Sequence, residues 1–156
     1  LIISALPIGI ALENTLTGLD QIASINPNDG GSSSFSIIAS VDWSPDGKYL
    51  AVGGQIEGSP SNNNDLFVYV FDPNAASVLT LIALINPGDG TDDDVITSVN
   101  WSPDGRYLAV GGRIDGSTSN RDLFVYAFDP STSSVLSQIA SVSPGGIGND
   151  AIASVN

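Results

Sequence analysis

The chain is 156 residues long and 42% apolar, and 17 acidic residues against four cations give it a net charge of −13. That length and apolar content suit one packed domain, and four scattered cations (Lys48, Arg106, Arg113, Arg121) argue against the clustered basic surface that nucleic acid or an anionic membrane demands. His, Cys and Met are absent, which excludes disulfides, imidazole or thiolate metal sites and every catalytic scheme built on His or Cys.

The opening run LIISALPIGIA is apolar for about a dozen residues, short of the roughly 20 that cross a bilayer. It reads as a buried strand pair, and no membrane insertion is expected. A start without Met fits a processed, exported product, so an extracellular or cell-surface location is expected.

Residues 40–59 read SVDWSPDGKYLAVGGQIEGS and residues 98–117 read SVNWSPDGRYLAVGGRIDGS. Trp101 follows Trp43 by 58 positions. An internal repeat of that period marks a supersecondary unit that cannot bury its apolar face alone. Within each copy the elements fall in a fixed order. Ile37–Trp43 and Val95–Trp101 are β-rich and end on a turn. Ser44-Pro45-Asp46-Gly47 and Ser102-Pro103-Asp104-Gly105 are those turns, since Pro presets φ, Asp bonds nearby backbone and Gly accepts positive φ. Tyr49–Val52 and Tyr107–Val110 are second strands. Leu66–Phe71 and Leu123–Phe128, apolar at nearly every position, are third strands covered on both faces. Val78–Ile85 and Val135–Val142 are fourth strands. No segment holds a 3.6-residue period, so no helix is expected.

Four antiparallel strands repeated at this period predict an all-β protein built of propeller blades. The repeats resemble the WD40-like β-propeller family, particularly its W-S-P-D-G-[KR]-Y-L-A-V variant. The resemblance covers both copies and implies the blade fold. The family's Gly-His pair is missing, and Phe71-Asp72 and Phe128-Asp129 stand where Trp-Asp is usual. The family's buried Asp-His-Ser-Trp network therefore cannot form, and its partners do not carry over.

The two ends complement one another. Gln21–Pro27 (QIASINP) matches the fourth strand of Gln138–Pro144 (QIASVSP), Ile8–Glu13 falls where a third strand should lie and Leu1–Leu6 where a second should. Ile152–Asn156 (IASVN) matches a first strand. This divides the chain into a partial blade with its loop over 1–36 (strands B, C and D), a blade with its loop over 37–94, another over 95–150, and a lone strand A over 151–156. There are about three blade equivalents, one of them split between the termini. Sheet edges left open template pairing with another chain, and head-to-tail contacts make rings or filaments. The expectation is a non-enzymatic structural protein that assembles with copies of itself. Ala151, Ile152, Ser154 and Val155 would be donated to an acceptor sheet that includes Ile2, Ile8, Ile10, Ile22 and Ile25. The alternative is an excerpt of a closed propeller acting as a protein-binding scaffold.

Other candidates are weaker. Asp89, Asp92, Asp93 and Asp94 cluster in a Gly-rich loop and could offer oxygens to Ca²⁺, but their spacing matches no Ca²⁺ loop and a solvated loop is the better reading; no metal or other cofactor is expected. Asp46 and Asp104 recur as turn residues, not as an acid–base pair. Trp43, Tyr49, Trp101, Tyr107, Phe71 and Phe128 occupy repeat positions and are expected to pack the repeat core. The polar loops 57–65 and 115–122 would carry glycans if the protein is extracellular. Asn100-Trp101-Ser102 has the glycosylation pattern but lies at a strand end before Pro103, and is discounted.

Overall fold

A computed structural model of the chain describes residues 21, 23–24, 36–56, 65–87, 94–113, 122–143 and 152–156. The described strands form two four-stranded antiparallel sheets. The first runs β1 (Ser36–Trp43), β2 (Tyr49–Ile56), β3 (Leu66–Phe71), β4 (Leu79–Ile85). The second runs β5 (Val95–Trp101), β6 (Tyr107–Arg113), β7 (Leu123–Phe128), β8 (Leu136–Val142), again in sequence order. There is no helix among the described residues. The all-β expectation and the four-stranded unit hold.

The Ser-Pro-Asp-Gly turn is built as its residues dictate. Gly47 N–H donates to the Ser44 carbonyl (2.8 Å), and Gly47 takes φ +71°, where a side chain would strain the backbone. Asp46 Oδ1 accepts the Ser44 hydroxyl (2.6 Å) and the Lys48 N–H (3.1 Å). Ser44 Oγ in turn accepts the Tyr49 N–H (2.9 Å), which starts β2. The second copy repeats every one of these bonds with Ser102, Asp104, Arg106 and Tyr107. Such Asx and Ser bonds satisfy the amides of a sharp reversal without water.

The second strands run further than the composition suggests, to Ile56 and Arg113 instead of Val52 and Val110. Pairing with each first strand continues past a β-bulge. Pairing shifts between Ile38 and Ser40, and between Ile96 and Ser98, and then continues to Ser36↔Ile56 and Val95↔Arg113. The Gly-Gly pair of each repeat is therefore sheet, not the start of a loop.

Cross-strand pairing sorts the side chains onto two faces. Val41, Trp43, Leu50, Val52, Phe67 and Tyr69 share what we term the front face of the first sheet. Ser40, Asp42, Ala51, Gly53, Leu66 and Val68 share its back. The main core lies between the sheets: Ala51, Leu66 and Val68 meet Ile96, Val99, Trp101, Leu108, Val110, Phe124 and Tyr126. A smaller cluster of Val52, Phe67 and Tyr69 lies on the front of the first sheet. Strand β3 is thus covered on both sides over Leu66–Tyr69.

One group in the core is costly. The Tyr126 hydroxyl is buried without a hydrogen-bond partner, and burial pushes its pKa up to about 12. The sign follows from linkage. An unfolded Tyr126 ionises near its ordinary 10.0 while the folded one stays neutral, so stability is complete below that pH and falls as pH rises toward the folded value. Tyr126→Phe is expected to keep the fold, to add about 1 kcal/mol at neutral pH by removing an unsatisfied donor, and to lose less stability than the parent between about pH 9 and about pH 11. Denaturant titrations at the two pH values check both.

Candidate functional site

The residues that join one blade to the next are small and polar, and the repeat carries them twice. Val99 N–H donates to Ser40 Oγ (3.1 Å). Trp101 N–H donates to Asp42 Oδ2 (2.7 Å), and its indole Nε1–H donates to the Asp42 carbonyl (3.2 Å). Regular alternation over Ser40–Trp43 puts Ser40 and Asp42 on the back of the first sheet, where β5 meets them. The bonds are cross-sheet, and they fix the rotation and register of the second blade on the first in a way that apolar contact alone does not.

Glycine makes the approach close. A Cβ at Gly53 would collide with Ile96 Cγ2 and sit 2.9 Å from Val99 Cγ1. Ile96 and Val99, both buried, fill the space left by the missing side chain. Gly53→Ala should therefore cost about 1–3 kcal/mol by overpacking, read as a lower denaturation midpoint.

The same joint is built a second time. Residues 152–156 lie against β5 and β6 one repeat further on. Val155 N–H donates to Ser98 Oγ (3.1 Å), as Val99 does to Ser40. A Cβ at Gly111 would stand 2.6 Å from Ile152 Cγ2 and 3.1 Å from Val155 Cγ1, as at Gly53. Ile152 N–H donates to the Gly112 carbonyl (3.2 Å). Thr97, which replaces Ala39 of the first copy, adds a hydroxyl that reaches both the Gly111 carbonyl (3.2 Å) and the Ile152 carbonyl. Ile152, Ser154, Val155 and Asn156 thus take the places that Ile96, Ser98, Val99 and Asn100 take on the first blade. Ile152 and Val155 are half-buried, whereas Ser154 and Asn156 are exposed.

The outer surfaces of the pair are unlike its joint. Ile38, Val41 and Trp43 are 49%, 56% and 45% exposed, whereas their repeat equivalents Ile96, Val99 and Trp101 are 0%, 3% and 4% exposed. On the same front face Val52, Phe67 and Tyr69 are buried. The exposure is therefore greatest along β1. At the other end, Leu123 and Val125 are half-buried where Leu66 and Val68 are fully buried.

The aromatic residues expected in the repeat core divide accordingly. Trp101 packs edge-on against Phe128 (4.8 Å between ring centres), and Tyr49 reaches across from the first blade to the same ring (4.8 Å). Trp43 meets Phe71 in the same edge-on way (5.0 Å) but stays half-exposed, and Tyr107 is exposed. Among the described residues no sheet stands in front of Trp43 and none behind Tyr107, so a shared repeat position does not give shared burial. The sequence reading also missed Ser40, Asp42, Gly53, Thr97 and Gly111. Their signal was present as the repeated Ser-Val-(Asp/Asn)-Trp and Gly-Gly pairs, which no turn or strand requirement explains.

The remaining candidates are placed as follows. Ala151, Ile2, Ile8, Ile10, Ile22, Ile25, Asp89, Asp92 and Asp93 lie outside the described residues, as do the loops 57–64 and 115–121. Asp94 is a buried carboxylate just ahead of β5. Asp46 and Asp104 line one shallow cleft between the two turns, with Tyr49 and Phe128. The Ser44 hydroxyl and then the Lys48 N–H hold Asp46 below the usual carboxylate range, and the Ser102 hydroxyl and the Arg106 N–H do the same for Asp104. A general acid at neutral pH needs the opposite shift, so this pair serves its turns.

A family model described as WD domain, G-beta repeat matches residues 21–72 and 84–119, more than half of the chain. The chain belongs to the WD-repeat family. No curated protein matches it. WD-repeat domains are generally non-catalytic scaffolds for protein–protein interaction. In this WD-repeat protein the joint is testable on its own. Asp42→Ala should cost about 2 kcal/mol, because the Trp101 amide loses a charged acceptor, while Asp42→Asn keeps an acceptor and most of the stability; chemical denaturation followed by Trp101 fluorescence measures the difference.

Proposed function

We propose that this WD-repeat chain is a non-enzymatic structural protein that assembles head-to-tail with copies of itself, as a filament or a ring, by completing a blade between subunits. One observation carries the reading. Residues 152–156 dock on the second blade through the same Ser Oγ bond and the same glycine hollow by which β5 docks on the first. A strand placed in this way is the inner strand of a further blade. In this reading residues 151–156 are donated and residues 1–27 supply the acceptor sheet. The two unlike outer surfaces support it, since the exposed β1 on the front of the first sheet and the half-buried Leu123 and Val125 on the back of the second would make a heterologous contact, and such contacts propagate.

The net charge of −13 per copy opposes close packing and keeps single chains soluble. Assembly of this kind therefore strengthens as salt rises toward about 0.15 M, where charges further apart than roughly 8 Å are screened. An acidic surface and Ser/Asn-rich loops suit an extracellular or cell-surface structure, which is where we place it.

The second reading keeps the family's ordinary role. The two blades would then belong to a closed propeller that binds a protein partner, and the family match favours it. Light scattering and negative-stain electron microscopy of the 156-residue chain separate the two. Fibres or rings are expected, together with their loss when Ala151–Asn156 is deleted and no loss of β-sheet circular dichroism. Gly111→Ala should weaken assembly in the same way by displacing Ile152. A deleted chain that assembles as before would overturn strand donation. Monodisperse single chains at every concentration would leave the scaffold reading.

A further inference from the structure

We infer that the inner-strand gap in front of β1 is the acceptor slot for residues 152–156 of a second copy, and that Trp43 is the residue the incoming strand covers. The inference rests on the self-assembly reading and adds to it the surface, the register and the contacts. The acceptor proposed from sequence lies in residues 1–27; the slot inferred here is made by β1.

The gap has the shape of one strand. Along the front of the first sheet, Val52, Phe67 and Tyr69 are as buried as their equivalents Val110, Phe124 and Tyr126 on the second. The largest departures are at Ile38, Val41 and Trp43, which are half-exposed or more where Ile96, Val99 and Trp101 are buried, with a smaller one at their neighbours Leu50 and Leu79, half-buried where Leu108 and Leu136 are buried. What covers Ile96, Val99 and Trp101 inside the chain is known residue by residue. Ser40 accepts the Val99 N–H, Asp42 accepts the Trp101 N–H through its side chain and the indole N–H through its carbonyl.

Residues 152–156 carry the same set in the same order. Ser154 stands where Ser40 does and Asn156 where Asp42 does. Both are exposed, while Ile152 and Val155 turn toward the chain's own β5 and β6. Laid in front of a second copy's β1, the strand offers Ser154 Oγ to the Val41 N–H. It offers Asn156 Oδ1 to the Trp43 N–H and the Asn156 carbonyl to the Trp43 indole. Each donor then has the partner that its repeat equivalent has within the chain. A Ser-Val-Asn segment with outward Ser and Asn is the chemistry that the front of β5, the repeat equivalent of β1, accepts within the chain from Ser40-Val41-Asp42, so the occupant is a second copy of this chain.

The two tryptophans make the test direct. Trp101 is buried in the single chain and Trp43 is not, so Trp101→Phe leaves Trp43 as the reporter. Its emission should shift to the blue as concentration rises through the assembly midpoint seen by light scattering, and acrylamide quenching should fall about threefold as the ring leaves water. Trp43→Phe, which changes a half-exposed residue, provides the difference spectrum if Trp101→Phe does not fold. Asn156→Ala should raise the assembly midpoint about tenfold, a loss on the scale of one well-made hydrogen bond. Assembly with Trp43 still fully quenchable, or with Asn156→Ala unchanged, overturns the slot and leaves self-assembly standing. Absence of assembly in the parent chain overturns both.

Discussion

The structure depends on how closely one sheet can lie on the next. Sheets packed face to face normally stand about 10 Å apart, with side chains of both filling the gap. At the inner edge of these blades that spacing is too wide for a backbone amide of one sheet to find a side chain of the other. Gly53 removes the obstacle. With no Cβ there, Ile96 and Val99 seat directly on β2, and the Val99 and Trp101 amides come within reach of Ser40 and Asp42. Without the hollow, those amides would need water or a different register. The apolar core between Leu66, Val68 and the second blade then follows, since it forms at the separation and angle the inner edge has fixed.

This division of labour explains why the joint is polar in a chain with so few charged residues. Apolar contact between two β-sheets is tolerant of sliding, because one row of Val, Leu and Ile is much like the next. A serine hydroxyl and a carboxylate facing particular amides are not tolerant. A residual shift of one residue would leave two buried N–H groups unpaired, at a cost of about 1–3 kcal/mol each. Stability comes mostly from the core, and register comes from Ser40 and Asp42.

Much of the fold was legible in the sequence because it is punctuated. Ser-Pro-Asp-Gly can be little other than a tight reversal, and the run Leu66–Phe71 is too continuously apolar for an open surface. Two near-identical copies also gave the order of strands twice. What was not legible was burial at the ends of the array. Trp43 and Trp101 have nearly the same neighbours in sequence, and their difference in burial follows from what stands in front of each sheet, which a local pattern does not encode. The joint was hidden for another reason. Composition reads a Gly-Gly pair as loop and a lone Ser as neutral, and only the meeting of two repeats in space gives either a task. The bulges at Ile38/Ser40 and Ile96/Ser98 were likewise invisible, since an inserted residue is recognised by the strand it pairs with.

The acceptor position of the joint is not the same residue in each copy. It is Asp42 in the first repeat, Asn100 in the second and Asn156 in the terminal segment. Inner strands of stacked blades run side by side, so equivalent side chains form a column through the stack. Three carboxylates in such a column would repel one another in a poorly solvated place, where like charges are least screened. Amides accept the same hydrogen bond without that penalty. Diluting one carboxylate with two amides keeps the charge density of the column low, a form of electrostatic tolerance that three identical acceptors would lack.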